Sequence, residues 1–220
     1  MSADNIADMT PEELQAPLLT AMKAHIPFDG WTVRALNAAA ADIGVSPEMA
    51  ELAFPSGPNE VLSLYLSTAD NALQTAIDAL DLPALKIRDQ ITLLIRTRLE
   101  QNIDDRELVR RTLATLALPQ NAALGLKALW KTSDIMWRAA GDTSTDHNWY
   151  TKRMTLSGVY SSVLVYWLSD ESDNFQDTWD FLDRRIADVM KIETAKYKLR
   201  ESTSHMPSLA RFLGRLRYPV

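Results

Sequence analysis

The segment TVRALNAAAADIGVSPEMAELAF, residues 32–54, decides the N-terminal part of the fold. Thr32 is a suitable N-cap for a first helix, and Gly44 is suited to end that helix. Pro47, which follows a serine, is typical of the first turn of a second, short helix that reaches about Ala53. Two helices joined by such a short turn predict a helix-turn-helix.

This spacing resembles the helix-turn-helix of TetR-type transcription regulators, in which the second short helix enters the major groove of DNA. Here that helix carries Glu48 and Glu51 and has neither lysine nor arginine. DNA binding depends on cations that neutralise phosphates, yet residues 1–60 hold two cations against nine acids. We therefore expect a degenerate element without DNA binding, and a TetR-type regulator that senses a small apolar ligand is the alternative function.

The rest of the chain is expected to be helical throughout. Only 7 of 220 residues are glycine, so the turn residues that β-hairpins need are scarce. The predicted fold class is all-α, a TetR-like helical bundle. Its expected parts are a helix-turn-helix-like region (10–65), a second helical bundle (66–200) and a basic amphipathic C-terminal helix (205–220).

The composition argues against an enzyme. The chain has no cysteine, which excludes disulfides and thiolate chemistry, and its 3 histidines are scattered. It has no glycine-rich phosphate loop and no nucleophile elbow, and the acidic run at residues 170–173 is expected to be a solvated turn. We predict no catalytic residue, no metal and no cofactor. We also expect no secretory signal and no membrane-spanning segment.

Residues 154–168 form the most apolar helix, with apolar side chains on more than one face. A helix that is apolar all round is buried on all sides, so one interpretation is a core helix or a dimer interface. The other is a helix that lines an apolar pocket, because Ser157, Gly158, Ser161 and Ser162 leave volume for a chain-like ligand. The candidate pocket residues are Leu156, Val159, Tyr160, Val163, Leu164 and Trp167.

The corner MWRAAGDTSTDHNWYTKR, residues 136–153, combines tryptophans, a tyrosine, acids and cations between two helices. Asp146, Trp149, Tyr150 and Arg153 have the spacing i, i+3, i+4 and i+7, so they share one helix face. An aromatic pair between an acid and a guanidinium is typical of a protein-binding hot spot. The alternative is a buried aromatic cap beside a surface ion pair of little energetic weight.

This corner, with FQDTWDFLDRRI (Phe175–Ile186) and IPFDGWT (Ile26–Thr32), resembles the coenzyme Q biosynthesis accessory protein nine family. The resemblance implies a non-catalytic, homodimeric protein of ubiquinone biosynthesis. Such a protein binds an isoprenoid lipid or ubiquinone precursor and presents it to the pathway hydroxylase at a membrane surface. It implies no nucleic acid. The implied location is cytoplasmic at the bacterial inner membrane, or the matrix side of the mitochondrial inner membrane in a eukaryote.

The resemblance also implies roles for single residues. The face formed by Asp146, Trp149, Tyr150 and Arg153 is where the hydroxylase docks in the family. Asp134 and Met136 on the preceding helix border the same patch. The pocket in the bundle is where the family holds isoprenoid lipids.

The C-terminal segment is basic and amphipathic. Residues 191–220 hold seven cations against two acids, and apolar side chains recur at helical spacing opposite arginines. Such a helix can lie in an anionic membrane interface. The alternative is a terminal helix docked on its own bundle or on a partner. The candidate membrane-binding residues are Leu209, Arg211, Phe212, Leu213, Arg215 and Leu216.

Overall fold

A computed structural model describes residues 6, 8–145 and 147–204, with the side chains of residue 147 and residues 192–204 left out. Within these ranges the chain has no strand, and the all-α prediction is confirmed. The α-helices are α1 Pro11–Met22, α2 Ile26–Asp29, α3 Val33–Asp42, α4 Pro47–Ala53, α5 Pro58–Ile77, α6 Ile87–Glu100, α7 Arg106–Leu116, α8 Ala122–Ala139, α9 His147–Ser169 and α10 Gln176–Ser204. Short 3₁₀ turns lie at Leu82–Ala84, Pro119–Asn121 and Asp173–Phe175.

The caps of the N-terminal helices follow from local sequence. The Thr32 hydroxyl accepts a hydrogen bond from the Ala35 amide at the start of α3. Serine at position 46 caps α4 in the same way. Helix α1 ends at Met22. Pro27 explains why it does not continue, because its ring lacks an N–H and clashes with the carbonyl four residues earlier.

The described residues form two hydrophobic cores. One contains α1, α3, α4 and the first half of α5, while the other contains the second half of α5, α6 and α8–α10. Helix α7 joins them: Thr112 accepts a hydrogen bond from the Trp31 indole at 3.1 Å. Arg111 on the same helix donates to the Pro27 carbonyl at 3.0 Å. The N-terminal helices are therefore fixed to the bundle by polar contacts as well as by packing.

Helix α9 is the central helix of the second core and packs against α6, α8 and α10. Trp167 is fully buried, but Met154 and Val165 are 67% and 62% exposed. The expectation that this helix is buried on all sides is therefore wrong along one stripe. No helix in the described ranges is long and apolar enough to cross a membrane.

The predicted C-terminal helix lies outside the described residues, with all of its candidate membrane-binding side chains. Asp146 at the α8–α9 corner lies outside them as well. The roles assigned to these residues stay predictions.

Candidate functional site

The α8–α9 corner is built by a glycine. Gly141 has φ +77°, a left-handed conformation that side chains other than glycine rarely adopt. Its amide donates to the Arg138 carbonyl, and the Asp142 amide donates to the Trp137 carbonyl, both at 3.0 Å. These two bonds are the Schellman motif, which satisfies the last carbonyls of α8. The motif places Asp142 directly after the helix, facing the first turns of α9.

Asp142 is the centre of a buried ion network. Arg153 Nη1 lies 2.5 Å from Asp142 Oδ2, and Lys152 Nζ lies 2.6 Å from Asp142 Oδ1. Arg153 Nε also lies 2.8 Å from Asp134 Oδ1 on α8. Burial raises the pKa of Asp142, but hydrogen bonds from Lys152, Arg153 and Ser144 outweigh it and hold the pKa well below its usual range. The corner thus carries a carboxylate that is ionised at neutral pH and joins α9 to α8.

Two candidate residues for partner binding, Arg153 and Met136, are buried in the structure. The Arg153 side chain is 1% exposed, because it points towards Asp134 and Asp142 instead of the surface. Met136 is fully buried in the core. In this conformation neither side chain is open to a partner, and helical spacing alone did not reveal this. Asp134 is 18% exposed and also pairs with Arg138.

Three aromatic rings lie beside the network. Trp149 and Tyr150 pack edge to face with ring centroids 4.7 Å apart. Trp130 on α8 approaches them at 5.5 Å and 6.2 Å, respectively. The guanidinium of Arg153 lies 4.5 Å from the Trp149 ring centre, within range of a cation–π interaction. The sequence analysis did not include Trp130 among the candidate residues, although it lies one helical turn before Asp134.

The half-buried rings of Trp130 and Trp149 lie on the same two helices as three exposed apolar side chains. Together they form a surface here called the docking face: Leu126, Trp130, Trp149, Tyr150 and Met154. Tyr150 and Met154 are one turn apart on α9 and are 59% and 67% exposed. Leu126, one turn before Trp130 on α8, is 69% exposed. Clustered exposed apolar side chains, unlike scattered ones, mark interaction surfaces.

An apolar cavity of about 420 Å³ lies between α5, α6, α7, α8 and α9. Its lining is mostly leucine, alanine and valine, with Leu126 and Val165 as exposed residues at its mouth. A smaller inner cavity of about 70 Å³ adjoins it and shares Arg98, Tyr160 and Leu164 with it. The larger volume falls in the range of small-molecule sites.

The candidate pocket residues divide between this cavity and the core. Tyr160 and Leu164 line both cavities, and Trp167 lines the inner one. Leu156, Val159 and Val163 are buried in the hydrophobic core instead and line neither cavity. Among the small residues, Ser161 lines the cavity, whereas Ser157 bonds Ser133 on α8 at 2.9 Å.

Fold and site together define an all-α protein of TetR-like fold with an apolar cavity behind an acidic helix-turn-helix. It is similar to the crystal structure of a TetR transcriptional regulator from Nitrosomonas europaea, with a TM-score of 0.64 and 18% identity. The match covers 79% of this chain and 96% of that chain. At this identity the likeness shows the fold alone, and the fold prediction is confirmed.

The resemblance predicted from the sequence is confirmed as well, since the chain is similar to proteins of the COQ9 family. Residues 122–193 match the family profile described as COQ9. The chain is 35% identical over 193 residues to the mitochondrial ubiquinone biosynthesis protein COQ9 of Rattus norvegicus, covering 84% of this chain and 62% of that protein. The Homo sapiens protein is 33% identical, with 84% and 60% covered, so the chain spans about three fifths of these relatives. The Schizosaccharomyces pombe protein is 29% identical, with 88% and 76% covered.

Within the ranges given above, no cluster of three or more histidines or acids could hold a metal ion. The ionised carboxylates at the corner are engaged by arginine and lysine, so they are not free to act as a general base.

Proposed function

We propose that this chain is a non-catalytic, lipid-binding accessory protein of ubiquinone biosynthesis. It binds a polyprenylated quinone precursor in the cavity and presents it to the pathway hydroxylase at a membrane surface. The role in ubiquinone biosynthesis is supported by the similarity to proteins with that name over most of this chain. The location follows the same reasoning: the matrix side of the mitochondrial inner membrane, or its bacterial counterpart.

The observation that carries the proposal is that the cavity and the docking face share two helices. Leu126 on α8 belongs to both, and on α9 Tyr150 and Met154 precede Ser161 and Val165 of the cavity mouth. A protein that covers the docking face would therefore lie next to the opening of the cavity. This arrangement suits direct transfer of a ligand without passage through water.

The physical need for such a protein is the cost of moving an isoprenoid out of the bilayer. Each buried CH₂ is worth about 0.8 kcal/mol, so a long tail does not leave lipid unaided. A dry cavity lowers that cost by offering a second apolar environment. The basic amphipathic segment at residues 205–220 would hold the protein at the anionic surface, and a homodimer would provide two such contacts.

The test is mass spectrometry of organic extracts from the protein after its purification from native cells. Ser161→Trp places a large ring in the cavity, and it is matched by Ser169→Trp on the same helix. Both serines donate to the carbonyl three residues earlier, but Ser169 lies outside the cavity. We expect co-purifying polyprenyl phenols or quinones in the wild type and Ser169→Trp, and their loss in Ser161→Trp. Extracts without any isoprenoid lipid would contradict the proposal.

A TetR-type regulator that senses an apolar ligand is the second candidate, favoured by the likeness to a regulator structure. Its weakness is α4, where Pro47, Glu48, Glu51 and Leu52 are the exposed side chains of the helix that would enter DNA, and none of them is a cation. A regulator would bind duplex DNA with an affinity that falls steeply with salt. Such salt-dependent binding by the purified protein would favour this candidate over the accessory protein.

A further inference from the structure

Trp167, which lines the inner cavity, has a buried hydrogen-bond donor without a partner in the described residues. Trp167 is 0% exposed, and its Nε1 has no hydrogen-bond partner in the described residues. A buried N–H left unpaired costs free energy, so native proteins rarely retain one. Trp167 lines the inner cavity. A ligand atom that accepts this hydrogen bond would remove the penalty.

A second polar group stands where the two cavities meet. The Arg98 side chain is 10% exposed and lies 3.8 Å from the nearest Asp70 oxygen, a long distance for an ion pair. It also donates to the Ala69 carbonyl and interacts with the phenol of Tyr160. Arg98 and Tyr160 line both cavities. They form a polar junction between the inner end and the larger apolar volume.

The inner cavity has further polar walls, whereas the mouth is apolar. Tyr65 and Asn102 line the inner cavity, and burial raises the pKa of the Tyr65 phenol to about 12, so it stays neutral. At the other end Leu126 and Val165 form the rim. The cavity therefore becomes more polar from the mouth towards the interior. A groove that holds only an apolar tail would be apolar at its inner end.

We propose that the cavity takes an amphiphile head first: its oxygen-bearing ring lies at Arg98 and Tyr160, an oxygen accepts from Trp167 Nε1–H, and its tail runs to the mouth. The inner volume of about 70 Å³ admits a carbonyl or hydroxyl substituent. A cavity that holds benzene measures about 150 Å³, so the ring itself lies in the larger cavity. This inference rests on the proposed lipid binding and adds the orientation and the recognition of the head. In this orientation the tail leaves through the mouth first, and the ring follows it to the hydroxylase.

The experiment compares two probes with the same tail, decyl-benzoquinone and decylbenzene, titrated into the full chain from the same cyclodextrin carrier. Trp167→Phe removes the unpaired donor without breaking a hydrogen bond of the protein. We expect it to weaken decyl-benzoquinone binding roughly threefold to tenfold and to leave decylbenzene binding unchanged. In the wild type, the indole N–H resonance of Trp167 should shift with the quinone and not with the hydrocarbon.

Trp179→Phe is the matched control, because its indole donates to the Asn174 carbonyl outside both cavities. It should leave the binding of both probes unchanged. If Trp167→Phe does not fold, Tyr160→Phe provides the same comparison at the polar junction. Equal effects on both probes would overturn the head-first orientation while lipid binding stands. Binding of neither probe would overturn the proposed function and this inference with it.

Discussion

Arg153 and Asp142 form a buried ion pair across the α8–α9 corner, with Nη1 2.5 Å from Oδ2 and side chains 1% and 3% exposed. The same guanidinium lies over the Trp149 ring. The pair therefore does more than join two helices, because it also sets the position of an aromatic ring of the docking face. Arg153, which was expected to share a helix face with Asp146, is instead buried beneath that face and pairs with Asp142.

Replacing Arg153 by methionine should lower stability strongly. The change leaves the Asp142 carboxylate buried with only Lys152 and Ser144 as donors, and breaking a buried pair typically costs about 3–5 kcal/mol. Urea unfolding followed by circular dichroism would measure the change in the free energy of unfolding. Arg138→Met is the control, since Arg138 also pairs with Asp134 but is 70% exposed. Its effect should stay below about 1 kcal/mol, and equal losses in both variants would contradict the buried pair's role.

The free energy of unfolding should decrease as the pH falls, partly because of Asp170. This residue was expected in a solvated turn but is 5% exposed. Burial raises its pKa, yet hydrogen bonds from Thr178 and Ser172 outweigh this and lower the pKa to about 2. An unfolded aspartate has a pKa of about 3.9. Its contribution is therefore complete above that value and is lost as the pH falls towards the folded value.

The free energy of unfolding should thus drop between about pH 4 and pH 2, and Asp170→Asn should show a shallower drop. Denaturant titrations at several pH values would show the two curves converging towards acid. Glu171→Gln in the same turn is exposed and serves as the control. A constant gap between Asp170→Asn and the wild type over this window would disprove the assignment.

Tyr150→Ala should weaken binding of the ubiquinone-pathway hydroxylase without unfolding the protein. Tyr150 is 59% exposed, and an aromatic hot spot contributes at least about 2 kcal/mol, or roughly thirtyfold in Kd. Calorimetric titration with the purified hydroxylase would measure it. Trp149→Ala should weaken hydroxylase binding as well, but it removes the ring that covers Arg153 and should therefore also lower stability.

Leu52→Ala provides the control for this prediction. Leu52 is 61% exposed but lies on α4, whereas the docking face lies on α8 and α9. It should leave hydroxylase binding unchanged, and the lipid content of all three variants should persist. Undiminished hydroxylase binding by Tyr150→Ala would remove the docking face from the proposal.

Thr112→Val should destabilise the contact between the N-terminal helices and the bundle. The variant leaves the buried Trp31 indole N–H without its acceptor, which costs about 1–3 kcal/mol. Thr115→Val on the same helix is the control: both hydroxyls donate to the carbonyl four residues earlier, but Thr115 is partly exposed. Thermal unfolding would rank the variants, and similar melting temperatures would show that the Trp31 bond contributes little.

Local sequence signals determined where most helices of this protein begin and end. The caps at Thr32 and Ser46, the glycine breaks and the apolar run of α9 fixed the helices and the TetR-like order, because these signals act within a few residues. The corner motif, with the segments Phe175–Ile186 and Ile26–Thr32, indicated the resemblance to the COQ9 family. A helical spacing, however, shows which side chains share a face and not which neighbour covers that face.

The tertiary structure alone decided the rest. It buried Arg153 against Asp142. Asp142 follows α8 and Arg153 lies in α9, so the two side chains meet only because α8 packs on α9. The tertiary structure also brought Trp130 to Tyr150 and assembled a cavity from five helices, of which the sequence indicated only α9. Helix periodicity is a property of one segment, whereas an interior surface and a buried charge pair depend on which segments meet.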